Sequence, residues 1–121
     1  MESKKPPLFT PRSARDAAQA LRPTMADALR LYRALTRRAP APGCAERPVD
    51  ATYFAGVRLL VQVVERMQAA GAEVDLSRAR LRFPARRHGR DVHLRWDLAE
   101  PQALWLGELP AAEDAGWEES R

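Results

Sequence analysis

The sequence lacks most of the features by which enzymes and exported proteins are usually recognised. It has a single cysteine, Cys44, which excludes an internal disulfide and suits a reducing cytoplasm. No run reaches the roughly 18 apolar residues that a membrane-spanning helix needs, and the N-terminus has no apolar leader. We therefore expect a soluble cytoplasmic protein that does not associate with membranes.

Candidate catalytic and metal-binding residues are equally scarce. The sequence contains two histidines, His88 and His93, and no cysteine or carboxylate pattern completes a zinc site with them. It has no glycine-rich phosphate loop and no nucleophile elbow. Glu100 has no partner group for acid–base chemistry and is more simply a loop carboxylate. The sequence predicts no enzyme, no metal and no cofactor.

The length of 121 residues predicts a single domain. The patterns along the chain predict that this domain contains both helices and strands. Thr10-Pro11 is typical of a helix N-cap followed by proline at the first helical position. Pro23 predicts the end of that short helix, and Gly71 predicts the end of the last one. The expected segments are a flexible stretch 1–9, helices 11–21, 24–37 and 51–70, a proline-rich linker 39–49, a sheet within 80–108 that closes a domain 10–109, and an acidic tail 110–121.

The last predicted helix has an unusually wide apolar surface. The simpler interpretation is a core helix that packs on the second helix and on the sheet, and a homodimer contact is the alternative. Its regularly spaced apolar positions are Tyr53, Val57, Leu60, Val64 and Met67, and the stripe is widened by Phe54, Leu59, Val61 and Val63.

His88-Gly89 lies between two alternating segments, 80–87 and 90–97, and predicts a tight two-residue hairpin turn. That turn fixes the register and places all apolar pairs on one face. The pairs are Leu81 with Trp96, Phe83 with Leu94, and Ala85 with Val92. We expect Leu81, Phe83, Leu94 and Trp96 to be buried with Val57, Leu60, Val61 and Val64.

The same register predicts a polar face with opposite charges in two of its pairs, Arg80 with Asp97 and Arg86 with Asp91. Between them, Arg82 faces Arg95, and like charges opposed on a strand pair are unfavourable unless an anion lies nearby. Pro84 faces His93, and proline predicts a sheet edge there.

A third strand at about 102–108 contains Leu104, Trp105 and Leu106 in succession. Both of its faces are apolar, so one face is either buried or awaits a partner. The predicted fold is thus α+β: two longer helices and a short N-terminal helix packed on a C-terminal three-stranded antiparallel meander.

At several of these residues the chain resembles a bacterial family described only as domain of unknown function family 2203. The chain shares a Phe-Thr helix start with that family, and a closing stretch that is most specific over residues 83–100. The matching residues are Phe83, Pro84, Ala85, Gly89, Arg90, Val92, Leu94, Trp96, Glu100, Ala115, Gly116 and Trp117. The resemblance implies a fold and supplies no function.

This chain departs from the family pattern at three positions that bear chemically active groups. Arg82 stands where the family has an acidic residue, Arg95 where it has cysteine, and Trp105-Leu106-Gly107 where a late histidine is expected. If those groups form a site in relatives, it is lost here. The departures therefore argue against the transfer of any chemistry.

The charge layout carries the strongest functional signal. Residues 76–95 have seven basic against one acidic residue, whereas residues 96–121 have one against seven. The predicted function is a non-catalytic protein-interaction or adaptor module, and the alternative is binding to an RNA or DNA backbone. The predicted binding residues are Arg80, Arg82, Arg86, Arg95, Leu104, Trp105 and Leu106. We also expect the acidic tail to lie near the basic face, where an acidic partner would compete with it; a solvated, disordered tail is the alternative.

Overall fold

A computed structural model describes residues 7–38 and 51–119 of the chain. Within these residues two helices precede five strands, which form one antiparallel sheet in the order β1-β2-β3-β4-β5. The predicted α+β class is confirmed. The elements are α1 Pro11–Arg38, α2 Ala51–Ala69, β1 Glu73–Asp75, β2 Arg80–Arg87, β3 Arg90–Asp97, β4 Trp105–Leu106 and β5 Leu109–Pro110.

The first two predicted helices, 11–21 and 24–37, are one continuous helix. Pro23 lies inside α1 and is exposed, and it leaves the carbonyl four residues earlier without its usual N–H donor. Ala18 before the proline and Met25 after it are both fully buried. Packing on both sides therefore holds the helix together through a residue that usually ends one.

The predicted N-cap is present at the start of α1. The Thr10 hydroxyl accepts a hydrogen bond from the Ser13 backbone N–H at 3.2 Å, and the Ser13 hydroxyl accepts one from the Thr10 N–H at 2.8 Å. Two N–H groups that a helix start leaves without partners are thereby satisfied. Just before this cap, Phe9 is buried and its ring meets that of Phe83 edge to face at 4.9 Å. The predicted flexible stretch 1–9 thus ends in a core residue; its residues 1–6, like the linker 39–49, lie outside the described residues.

Helix α2 ends at Ala69, one residue before its predicted end at residue 70, and the predicted glycine stop follows it. Gly71 has a positive φ of 99°, and its N–H donates to the Gln68 carbonyl at 2.9 Å. The Ala72 N–H donates to the Met67 carbonyl at 3.3 Å, which completes the glycine-dependent stop.

The β2–β3 hairpin has the predicted register throughout. Leu81 lies opposite Trp96, Phe83 opposite Leu94, and Arg82 opposite Arg95. His88 and Gly89 have φ values of 50° and 76°, which is the left-handed pair that a tight hairpin turn requires.

The sheet has five strands within the described residues, not the three that were predicted. β1 pairs with the first three residues of β2, and its alternation of Glu73, Val74 and Asp75 continues the polar and apolar faces of the hairpin. The predicted strand 102–108 shrinks to β4, because Gly107, with a φ of 63°, turns the chain back into β5.

The core lies between the helices and one face of the sheet. Leu81, Phe83, Leu94 and Trp96 are at most 1% exposed, as predicted. Helix α2 contributes less than expected, because Met67 is its one buried side chain and Val61 is 48% exposed. The other three predicted core positions, Val57, Leu60 and Val64, are half-buried.

Candidate binding face of the sheet

The strands carry a polar face on the side away from the buried residues, which we call the outer face. Side chains alternate across a strand, so this face is made by every second residue of the hairpin and its neighbours. Its members are Glu73, Asp75, Arg80, Arg82, Pro84, Arg86, Asp91, His93, Arg95, Asp97 and Trp105.

Asp97 neutralises one end of the outer face. One of its carboxylate oxygens accepts a hydrogen bond from Arg80 Nε at 2.8 Å, and the other lies 3.5 Å from Arg95 Nε. The carboxylate is only 16% exposed, so this ion pair is less screened by solvent than the others on the face. Two of the four predicted binding arginines therefore have an internal partner.

Arg86 is neutralised at the hairpin end. Its Nε donates to Asp91 at 2.8 Å, and Glu118 of the predicted tail lies 3.6 Å away. The hydrogen bond that Arg86 donates to Asp91 and the charge of that carboxylate raise the pKa of the Arg86 guanidinium, with a smaller contribution from Glu118.

Arg82 differs from the other predicted binding arginines. It is exposed, and among residues 7–38 and 51–119 it forms no ion pair. Its partners across the sheet are Arg95 on one side and Glu73 on the other, but Glu73 contacts His93 Nε2 at 2.7 Å instead. The centre of the outer face thus holds a cation without a counter-charge.

Trp105 continues this row across the sheet. It lies opposite Arg95, whose guanidinium carbon is 5.6 Å from the centre of the indole ring. That distance permits a cation–π contact. Arg95 Nε and Trp105 Nε1 are buried and have no hydrogen-bond partner among the described residues, so the contact leaves polar donors unsatisfied.

The predicted apolar run is not an exposed strand. Leu104 is 2% exposed and belongs to the core, and Leu106 is half-buried against that core. The Leu104 carbonyl accepts a hydrogen bond from the Ala111 N–H at 2.8 Å, which ties the following segment to it. Trp105 is consequently the one member of the run that faces outward.

The acidic tail packs along β2 at the hairpin end. His88 N–H donates to the Gly116 carbonyl, and Glu118 N–H donates to the Arg86 carbonyl, both at 2.9 Å. Asp114 forms an ion pair with Arg87, whose guanidinium carbon lies 5.2 Å from the Trp117 ring centre. The tail therefore lies beside Arg86 and Arg87 at the hairpin end, and not over the Arg82–Arg95 pair at the centre of the outer face.

Some partners in this site were missed by sequence reasoning. Glu73 was not assigned to a strand, although the alternation of Glu73-Val74-Asp75 next to a basic strand is a usable signal. The contact of Arg87 with Trp117 had no signal in spacing, because it depends on the path of the tail.

Among the described residues, no group of three His, Cys, Asp or Glu side chains is placed to hold a metal ion. Neither α1 nor α2, the two helices of the described residues, has the apolar length of a membrane-spanning segment. Comparisons of the chain with protein-family models, with curated proteins and with solved structures gave no match. The resemblance to the family of unknown function stays a prediction.

Proposed function

We propose that this chain is a small, non-catalytic protein-interaction module that binds an acidic segment of another protein on the outer face of its sheet. The observation that carries the proposal is Arg82, an exposed arginine without an ion pair at the centre of that face. Arginine suits carboxylates because its planar guanidinium presents several donors in a fork. Trp105, held beside Arg95, supplies adjacent aromatic surface. Cytoplasmic location is part of the proposal.

A nucleic-acid backbone is the second candidate ligand, because Arg82 and Arg90 are both exposed cations of the hairpin. A phosphate backbone is usually bound by several free cations, and affinity grows with their number. A carboxylate oxygen lies within 3.5 Å of each of Arg80, Arg86 and Arg95, which lowers the number of free cations. A short acidic peptide needs fewer of them.

The two candidates are separated by direct binding measurements. A fluorescent peptide rich in glutamate and aspartate, a single-stranded RNA and a DNA duplex are each titrated with the full chain at low salt. We expect the peptide to bind, and Arg82→Glu to weaken it by about tenfold, as for the loss of a charge-assisted contact. Arg22→Glu, an exposed arginine of α1, changes the net charge equally and is the matched control.

Equal losses in both variants would mean that only net charge matters, and the proposed site would be wrong. Binding of RNA or DNA in preference to the peptide, with affinity falling steeply with salt, would favour the nucleic-acid alternative.

A further inference from the structure

Helix α2 exposes large apolar side chains on its solvent side. Phe54 is 60% exposed, Leu59 52% and Val61 48%. The apolar residues of α2 extend beyond the side that faces the core, and Met67 is the one buried side chain of the helix. Part of its surface is therefore suited to contact with another helix.

The exposed side carries the pattern of a helix–helix seam. Phe54, Val57, Val61 and Val64 recur at alternating spacings of three and four, which is the repeat of a two-helix coiled coil. Phe54 and Val61 are exposed and Val57 is half-buried, so a helix placed along this line would cover these three. Val64 packs partly on the chain's own core and would be covered only at its outer edge. Leu59 lies about 140–160° around the helix from each of these four residues and is outside the seam.

Two opposite charges flank this seam on one side. Arg58 and Glu65 are both exposed, and neither forms an ion pair among the described residues. They are one heptad apart and occupy equivalent positions, each directly after a seam valine. Their separation along the helix axis is about 10 Å.

These charges are complementary to those of a second copy of the same helix in the antiparallel direction. In an antiparallel pair of identical helices the equivalent flanking positions face each other, so Arg58 of one copy meets Glu65 of the other, twice by symmetry. A parallel pair would instead bring Arg58 toward the opposite flank, which holds Leu60 and Met67 and faces the chain's own core. The antiparallel arrangement also places Val61 opposite Val64.

We propose that a second copy of this chain docks antiparallel along α2, with Phe54, Val57, Val61 and Val64 as the seam and reciprocal Arg58–Glu65 ion pairs beside it. This surface is separate from the outer face of the sheet and does not depend on the proposed acidic ligand.

The first test measures the mass of the full chain by sedimentation velocity over a range of concentrations. We expect a concentration-dependent dimer, and Val61→Asp should raise its dissociation constant by about a hundredfold, because each copy would place a carboxylate in an apolar contact. Leu59→Asp is the matched control, because Leu59 is as exposed as Val61 but lies outside the seam. A monomer at all concentrations, or equal weakening by both variants, would overturn the proposal.

The second test reverses the flanking charges. Arg58→Glu alone places two carboxylates opposite each other in both symmetric pairs and should weaken the dimer by about tenfold. The double variant Arg58→Glu/Glu65→Arg should restore wild-type affinity at low salt. Circular dichroism of each variant checks that the fold is intact. A folded double variant that stays as weak as the single one would show that these residues do not meet, and the antiparallel arrangement would be wrong.

Discussion

Glu73 contacts His93 Nε2 at 2.7 Å, although its partner directly across the β1–β2 pair is Arg82. The carboxylate directly opposite Arg82 in the sheet therefore contacts a histidine ring and forms no ion pair with Arg82. The Glu73–His93 contact leaves Arg82 without an ion pair, which is the property on which the proposed ligand site depends. We therefore expect His93 to act on the proposed site through Glu73, without contact with the ligand.

Replacing His93 should transfer Glu73 to Arg82. We expect His93→Ala to weaken acidic-peptide binding by about threefold, since an opposite charge beside Arg82 competes with the ligand. Adding Glu73→Gln to this variant should restore the affinity. Fluorescence anisotropy at low salt measures both, and identical binding by the single and double variants would contradict the role of Glu73.

Phe9 should prove to be a core residue of the N-terminal segment. It is 8% exposed, and its N–H donates to the Pro84 carbonyl at 2.9 Å. We expect Phe9→Ala to lower the free energy of unfolding by about 3 kcal/mol, as for a buried aromatic. Phe54→Ala makes the same chemical change at a 60% exposed position and should cost less than about 1 kcal/mol in dilute solution. Denaturant unfolding compares the two, and equal losses would contradict the placement of Phe9.

The hairpin was predictable to the residue because two independent constraints agree on one register. The turn at His88-Gly89 and the alternation of apolar residues both pair Phe83 with Leu94. The polar partners Arg80–Asp97 then follow without further assumption. Sequence reasoning is strong wherever local turn chemistry and periodicity fix the same answer.

The helices were less predictable because local and tertiary signals disagree. Pro23 locally predicts a break, but the spacing of apolar positions continues through it from Ala18 to Leu21 and Met25. Burial of that continuous stripe outweighs the missing hydrogen bond. For α2 the periodicity predicted helix correctly and gave no information on which apolar side is covered, so Val61 was wrongly placed in the core.

Acidification should loosen the turn between β1 and β2. A hydrogen bond from the Ser77 hydroxyl to Asp75 at 2.7 Å lowers the pKa of that carboxyl, burial acts in the opposite direction, and the Arg78 N–H assists at 3.2 Å. Because the folded pKa is depressed, the stabilisation is present above the ordinary value of 3.8 and is lost as pH falls through the folded pKa. Carboxyl NMR titration should show a higher Asp75 pKa in Ser77→Ala, and an unchanged value would contradict this account.

The acidic tail should weaken ligand binding through two particular carboxylates. Asp114 faces Arg87 and Glu118 faces Arg86, so Asp114→Asn/Glu118→Gln frees Arg87 and leaves Arg86 with Asp91 alone, while the chain keeps its full length. Deleting the whole tail from residue 111 would be less informative, because Ala111 is 3% exposed and its N–H bonds Leu104.

The charge-neutral tail variant should bind the acidic peptide about threefold more tightly at low salt, because two exposed competing charges are removed. The gain should fade toward several tenths molar salt, since exposed charges are screened over about 8–10 Å at physiological ionic strength. Glu113→Gln/Glu119→Gln removes the same formal charge from tail carboxylates that form no ion pair in the described chain, and it should give a smaller gain. Equal gains from both variants would mean that the tail acts only through its total charge and not by occupying Arg86 and Arg87. No gain from either would show that the tail does not compete with the ligand at all.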